Sequence, residues 1–340
     1  MRAAVLEANG HIRMGEREMP DPGRHCLVRV HAAGVCSSDV GRAHMGGAYH
    51  YPLVMGHEFA GVVERAAKNG GPPVGAEVAV FPLIPCRSCE ACLQGRWAHC
   101  IGYDYFGSRR DGGFQEYVAV PPWNLVPLPA DLGPDPGCLC EPVAVAAHAT
   151  RKAPVPGPGA TALVLGAGFI GMMTARLLAD RGYVVSVADR NPAKLWLAEA
   201  VGLTGLSVAE ALGRENLFSL VVEATGSPEM FACSVRLARP LGSVVWVGNI
   251  TGRLTLEQGE VSRILRKELS IRGVWNSDYR RGDHDDWAVA LDILARADWI
   301  DSLVTHRIGL EDLPRVLADV AGQRKDPVPH GMVKVVVELA

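Results

Sequence analysis

The hydrophobic pattern of the chain changes character near its middle. Before about residue 150, apolar positions come in short alternating stretches, such as Leu27-Val28-Arg29-Val30 and Gly61-Val62-Val63-Glu64, broken by Gly and Pro clusters. Alternation puts every second side chain on one face of a strand, so this segment predicts a β-rich domain with irregular loops. KAPVPGPGA (Lys152 to Ala160), built from Pro, Gly and small residues, sustains neither helix nor central strand. Beyond it the apolar positions become continuous runs: Ala162-Leu163-Val164-Leu165, Val184-Val185-Ser186-Val187-Ala188, Leu220-Val221-Val222-Glu223, Val244-Val245-Trp246-Val247 and Leu269 to Val274. Runs of this kind are strands covered on both faces. With helical spacing between them, as in MMTARLLAD, they predict an α/β domain with a doubly wound parallel sheet.

Composition narrows the class. At 340 residues the chain exceeds the usual size of one hydrophobic core, which favours two domains. A hydrophobic content of 48% without a membrane-length apolar run predicts a soluble globular protein with no membrane partner. The formal charge of -3 and pI near 6.4 give no global attraction to nucleic acid. The opening residues, MRAAVLEANGHIR, lack a continuous apolar core, so export is not expected and the cytoplasm is the expected location.

The turn after the first buried strand carries chemistry. Gly166-Ala167-Gly168-Phe169-Ile170-Gly171 lies between a strand and a helix, the context a dinucleotide fingerprint requires. Gly166 permits the tight turn, Gly168 lets a pyrophosphate approach the backbone, and Gly171 allows close packing of helix on strand. The helix N-terminus offers unpaired N–H groups to phosphate. Asp189 ends the next strand 18 residues after Gly171. A carboxylate there accepts from the adenosine ribose hydroxyls and repels a 2′-phosphate, so NAD is expected over NADP, with the adjacent Arg190 dissenting. Lys194, Thr225, Val247 and Gly248 complete the expected cofactor-binding set.

Four of the nine cysteines, Cys86, Cys89, Cys92 and Cys100, stand in CRSCEACLQGRWAHC with two, two and seven residues between them. That spacing reads as a structural zinc site, since four thiolates saturate a tetrahedral ion and leave no position open for chemistry. Catalysis must then lie elsewhere. Metal-ligand residue types also occur as Cys36 in GVCSSD, His57-Glu58 in MGHEFAG and Glu141 in CEPVAVAAHA. Each has a bland reading alone, a buried thiol or a satisfied histidine.

Taken together, GVCSSD, MGHEFAG, the four-cysteine lobe, DGGFQEY, CEPVAVAAHA, GAGFIG and EATG resemble, in content and order, the zinc-dependent medium-chain dehydrogenases, with the closest likeness to the polyol branch. The resemblance spans essentially the whole chain. It implies a GroES-like β-rich catalytic domain over 1–150, with the structural zinc lobe at 86–100. It further implies a Rossmann NAD-binding domain over 151–276 and a C-terminal return to the catalytic domain over 277–340, its last strand Met332 to Val337. It implies a catalytic zinc held by Cys36, His57 and Glu141, with Glu58 as alternate or neighbouring carboxylate and Asp39 orienting the histidine.

The same resemblance implies that zinc acts as a Lewis acid on a substrate hydroxyl whose hydride passes to the nicotinamide. Ser38 is the expected first proton relay. Several relatives continue that relay through a histidine three residues further on; here that position is Gly41. Arg42, Arg109 and Arg110 are candidates to hold an anionic substrate end, because guanidinium pairs bidentately with phosphate. A polyol phosphate is therefore the first expectation and an unphosphorylated polyol or secondary alcohol the second. A non-catalytic binding role predicts loss of zinc ligands or of the glycine turn, and a zinc-free quinone reductase would lack Cys36 and the cysteine lobe; all are present. The exposed edge near Leu269 to Val274 suggests pairing across a two-fold axis, as a homodimer or homotetramer.

Overall fold

The computed structural model describes residues 1–68, 70–282, 284–323 and 331–339. It forms two compact units. One takes in Met1–Ala144, the described part of 278–326 and the closing stretch from Lys334; the other takes in Val145–Ser277 and 331–333.

In the first unit a mixed sheet is centred on the long strand Cys26–Val35. On one side lie Glu58–Arg65, Glu77–Val80 and Leu125–Pro127; on the other lie Lys334–Glu338 and Val304–Gly309, with Tyr117–Val120 also pairing to the long strand. Only the pair Val304–Gly309 and Lys334–Glu338 is parallel within this sheet. The alternation read at Leu27-Val28-Arg29-Val30 is present as buried Val28 and Val30 flanking the half-exposed Arg29. Val28, Val30, Phe59, Val63, Val78, Val80 and Val337 meet in one core with Phe106 and Phe114. A smaller sheet of His11–Glu16, Arg2–Ala8 and Leu53–Val54 packs its apolar residues into the same core.

In the second unit six parallel strands lie side by side in the order Thr204–Ser207, Val184–Asp189, Thr161–Leu165, Phe218–Glu223, Ala238–Trp246, Ser270–Gly273. This is the doubly wound arrangement the apolar runs predict, with the first strand at the point where strand order reverses. Thr204–Ser207 is an addition to the runs read from sequence. Its TGLS has little apolar content and only Leu206 is buried, so it carries no buried-run signature. The outermost strand, Ser270–Gly273, has no fully buried residue. Among the described residues, no helix is long and apolar enough to cross a membrane.

Candidate functional site

The cysteine lobe is a local construction. Cys89 caps the short helix Glu90–Leu93, Cys92 lies within that helix, and Cys100 follows the turn Trp97–His99. The four sulfur atoms lie within 4.8 Å of one another. Cys86 N–H donates to Cys100 Sγ at 3.2 Å, and Cys86 and Cys92 Sγ are 3.9 Å apart. The backbone N–H and hydroxyl of Ser88 pull the Cys86 thiol down to about 5, whereas burial pushes Cys92 up to about 12. Four converging soft donors of this kind fit tetrahedral zinc, and the set is full without a substrate.

The second cluster is assembled from distant segments. Cys36 follows the long central strand and is the N-cap residue of the helix Ser37–His44, while His57 immediately precedes the neighbouring strand, which Glu58 opens. Antiparallel pairing puts Gly34 opposite Glu58, and a Cβ on Gly34 would fall on the Glu58 carboxylate. Glycine is what lets this carboxylate enter the sheet. Ligand atoms of Cys36, His57 and Glu58 lie within 4.8 Å of one another, with His57 and Glu58 buried. A thiol, an imidazole and a carboxylate facing one point fit a catalytic zinc that keeps an open position.

Around that cluster charged and polar groups lie close together, although the buried His57 Nδ1 has no partner at hydrogen-bond geometry. Asp39, fully buried, accepts from the Cys36 N–H at 3.0 Å and lies 3.5 Å from His57 Nδ1. Burial pulls the His57 imidazole down, but the Asp39 carboxylate and the Cys36 sulfur outweigh it and hold His57 well above the usual range. Asp39 stays below the usual carboxylate range: burial pushes it up, and His57 and then Arg42 pull it back further. Lys334, 3% exposed on the last strand, forms an ion pair with Glu58 and donates to the Val35 carbonyl at 3.3 Å. Glu141, at the start of the helix Cys140–Lys152, lies outside the tight group of three; its Oε1 accepts from the Tyr105 hydroxyl at 3.4 Å. Burial pushes the Glu141 carboxyl up to about 7, and burial together with Glu141 pushes Tyr105 well above the phenolic range.

In the parallel-sheet unit the glycines do what their spacing implies. Gly166 has φ +105°. A Cβ on Gly171 would stand 1.9 Å from the Gly166 carbonyl, so only glycine allows that helix-to-strand approach. A Cβ on Gly168 would meet nothing within 4 Å, which leaves open backbone at the helix N-terminus where a pyrophosphate fits. Phe169 and Ile170 begin the helix Phe169–Asp180. Asp189 accepts from the Ala167 N–H at 2.8 Å and the Asn191 N–H at 2.9 Å, which ties the acidic residue to the glycine turn. Glu223 accepts from the Thr225 N–H at 2.7 Å, and its carbonyl accepts from Val247 and Gly248 at 2.8 and 2.9 Å. Arg190 follows Asp189, and Lys194 lies on the helix Pro192–Ala200. Gly166, Asp189, Thr225, Val247 and Gly248 thus all sit at the carboxyl ends of their strands, where ligands bind in open parallel sheets.

The three arginines singled out as anion holders are all engaged. Arg110 Nε donates to Asp104 at 2.6 Å. Arg109 stacks between Tyr49 and Tyr103, 5.1 and 4.0 Å from their ring centroids, and donates to the Tyr103 carbonyl. Arg42 donates to Ser38 Oγ at 2.9 Å and to Asp39. Two residues of the cluster were missed in the sequence. Lys334 had a signal, a single Lys inside the apolar run MVKVVVEL, since a lysine is buried only with a partner. Tyr105 had none, because a tyrosine between Asp104 and Phe106 carries no spacing that points to Glu141.

Residues 22–130 match the alcohol dehydrogenase GroES-like domain family, and residues 134–339 match the glucose dehydrogenase C-terminus family. Galactitol 1-phosphate 5-dehydrogenase of Escherichia coli K12 is 31% identical over 94% of this chain and 96% of its own length. L-galactonate-5-dehydrogenase of the same strain is 34% identical over 90% of this chain and 91% of its own. A solved structure described as a zinc-binding dehydrogenase from Sinorhizobium meliloti 1021 bound to NADP superposes with TM-score 0.87 at 30% identity, covering 99% of this chain and 98% of that one. With the glycine turn, the two ligand clusters and both family matches, the chain belongs to the polyol branch of the zinc-dependent medium-chain dehydrogenases, and it is an oxidoreductase.

Proposed function

We propose that this protein oxidises a secondary hydroxyl of a phosphorylated sugar alcohol to the ketone, with NAD as hydride acceptor. The observation that carries the reading is the convergence of half-buried Cys36 with buried His57 and Glu58, a mixed donor set, with Ser38 in the first turn of the helix that Cys36 begins. Cys36 and His57 would hold the catalytic ion, with Glu58 or Glu141 as the carboxylate. Zinc bound there supplies Lewis acidity that lowers the cost of ionising the substrate hydroxyl. Asp39 keeps the imidazole oriented, and Ser38 receives the proton. Cys86, Cys89, Cys92 and Cys100 would hold the second, structural zinc.

The NAD preference is supported by Asp189, whose carboxylate is fixed at the strand end by two backbone N–H groups. A 2′-phosphate there meets a negative charge. NAD should give the higher kcat/KM, and Asp189→Ala should erode that preference by about ten- to hundredfold, the size of one lost charge-assisted hydrogen bond. Higher kcat/KM with NADP in the unaltered enzyme would refute the assignment.

For the substrate, galactitol 1-phosphate and L-galactonate, the compounds named for the two relatives, are both open six-carbon chains with an anionic end, and both enzymes are named for carbon 5. That shared chemistry supports an anionic hexitol. A second reading, an unphosphorylated polyol, is favoured by the engagement of Arg42, Arg109 and Arg110 within the protein. Comparing kcat/KM for galactitol 1-phosphate with galactitol and sorbitol decides between them. Preference for the phosphate by tenfold or more is expected; equal or better use of the free polyols would leave a sorbitol-type enzyme. The exposed edge strand Ser270–Gly273 supports pairing of two copies as part of the same reading.

A further inference from the structure

The cation beside the proton relay has a use of its own. Ser38, Asp39 and Arg42 occupy one helix, Ser37–His44, in which residues three and four apart share a face. Arg42 Nη1 donates to Ser38 Oγ at 2.9 Å and lies 3.3 Å from Asp39 Oδ1, while Asp39 Oδ1 is 3.5 Å from His57 Nδ1. One guanidinium nitrogen therefore touches both the relay hydroxyl and the carboxylate that orients the histidine. The Arg42 side chain is 15% exposed and Asp39 not at all, so water competes little for these contacts.

We infer that Arg42 is a positioning residue for proton transfer, fixing the direction in which Ser38 relays and holding Asp39 against His57, instead of a ligand for the substrate's anionic end. A serine hydroxyl has one O–H to donate and two lone pairs. Arg42 occupies one lone pair and, having no acceptor, can take no proton. The other lone pair is left to receive the substrate proton, and the Ser38 O–H takes the remaining direction. As the substrate O–H bond breaks, its proton goes to Ser38 Oγ and the original Ser38 proton passes to a water at this half-buried side chain, which carries it to solvent. The dinucleotide, when bound, would accept the carbinol C–H pair as hydride, and the electron pair left on the substrate oxygen would close the carbonyl. The exit is thus fixed without a histidine at Gly41.

This inference rests on the dehydrogenase reading, and its test separates the two. With whichever polyol the enzyme oxidises, Arg42→Ala should lower kcat by about ten- to hundredfold with KM nearly unchanged, for phosphorylated and free substrates alike. Arg42→Lys should restore part of the rate. In a Ser38→Ala background, Arg42→Ala should cost clearly less than it does alone, since its route through the hydroxyl is gone and only its hold on Asp39 remains. Losses that add in the double variant, or a KM effect confined to the phosphorylated substrate, would overturn the inference while leaving the dehydrogenase reading intact. A substrate-free arm uses release of zinc from the holoenzyme to a chromogenic chelator. Arg42→Ala should speed release of one zinc by several-fold and leave the other unchanged, as expected when a partner of a ligating histidine is loosened. Equal release rates in the two proteins would overturn the role toward Asp39 even if no polyol is oxidised.

Discussion

The two ligand clusters of the GroES-like unit contain some of the same chemistry and are built in opposite ways. The cysteine lobe takes all its donors from Cys86–Cys100, with two of the sulfurs at a half-exposed or exposed surface. The Cys36 cluster draws on the end of one strand, the start of its antiparallel neighbour, the start of the helix Cys140–Lys152 and the last strand, and most of its groups are buried. In the lobe, donors of one kind would saturate an ion, and its binding would add folding energy. In the other, mixed donors and charges held by partners keep a reactive arrangement that the rest of the fold must support. Loss of a donor in the first should therefore be felt as stability, and loss of a donor in the second as rate, while the buried charges that support the second also carry stability.

The largest expected effect on the comparison comes from Cys89→Ser. Opening the lobe forfeits metal-coupled folding energy, which reaches on the order of 10 kcal/mol in small zinc modules. The variant should be recovered aggregated or with a markedly lowered melting temperature, and a thermal melt indistinguishable from the unaltered protein would remove the structural role. Next in size, Lys334→Met leaves Glu58 as a buried carboxylate without its cation. That should cost roughly 3–5 kcal/mol in denaturant unfolding, and adding Glu58→Gln should recover much of it. A single variant as stable as the double would show that the pair is not coupled. The smallest effect is expected at Ser88, whose N–H and hydroxyl hold the Cys86 thiol down. Ser88→Ala keeps the N–H and should speed chelator removal of the lobe zinc by about two- to fivefold, with turnover unchanged; a loss of turnover instead would break the division of labour.

The contrast also explains how much was legible beforehand. The lobe could be read outright, because its four donors are separated by two, two and seven residues and the spacing itself is the site. The dinucleotide turn was legible for the same reason, with Gly166, Gly168 and Gly171 each meeting the steric demand its position implies. The Cys36 cluster had no such local signal. Cys36, His57 and Glu141 were found through motif order and family likeness, whereas Lys334 and Tyr105 reach the cluster only through sheet pairing and packing. The strand Thr204–Ser207 escaped because an edge strand half open to solvent needs no apolar run. Nor could the sequence tell whether Arg42, Arg109 and Arg110 were free for substrate. Their engagement depends on Ser38, Tyr49, Tyr103 and Asp104 being brought to them, by helical spacing in one case and by loop packing in the others.

The central claim is that the structural ion and the reactive ion are separate. Zinc content per chain measured alongside NAD reduction tests it most directly, in the unaltered protein and in Cys36→Ser. The account predicts about two zincs per chain in the first and about one in the second, with turnover abolished and the melting profile largely retained, since the closed lobe keeps its metal. A Cys36→Ser protein that holds both zincs and reduces NAD at the original rate would contradict it.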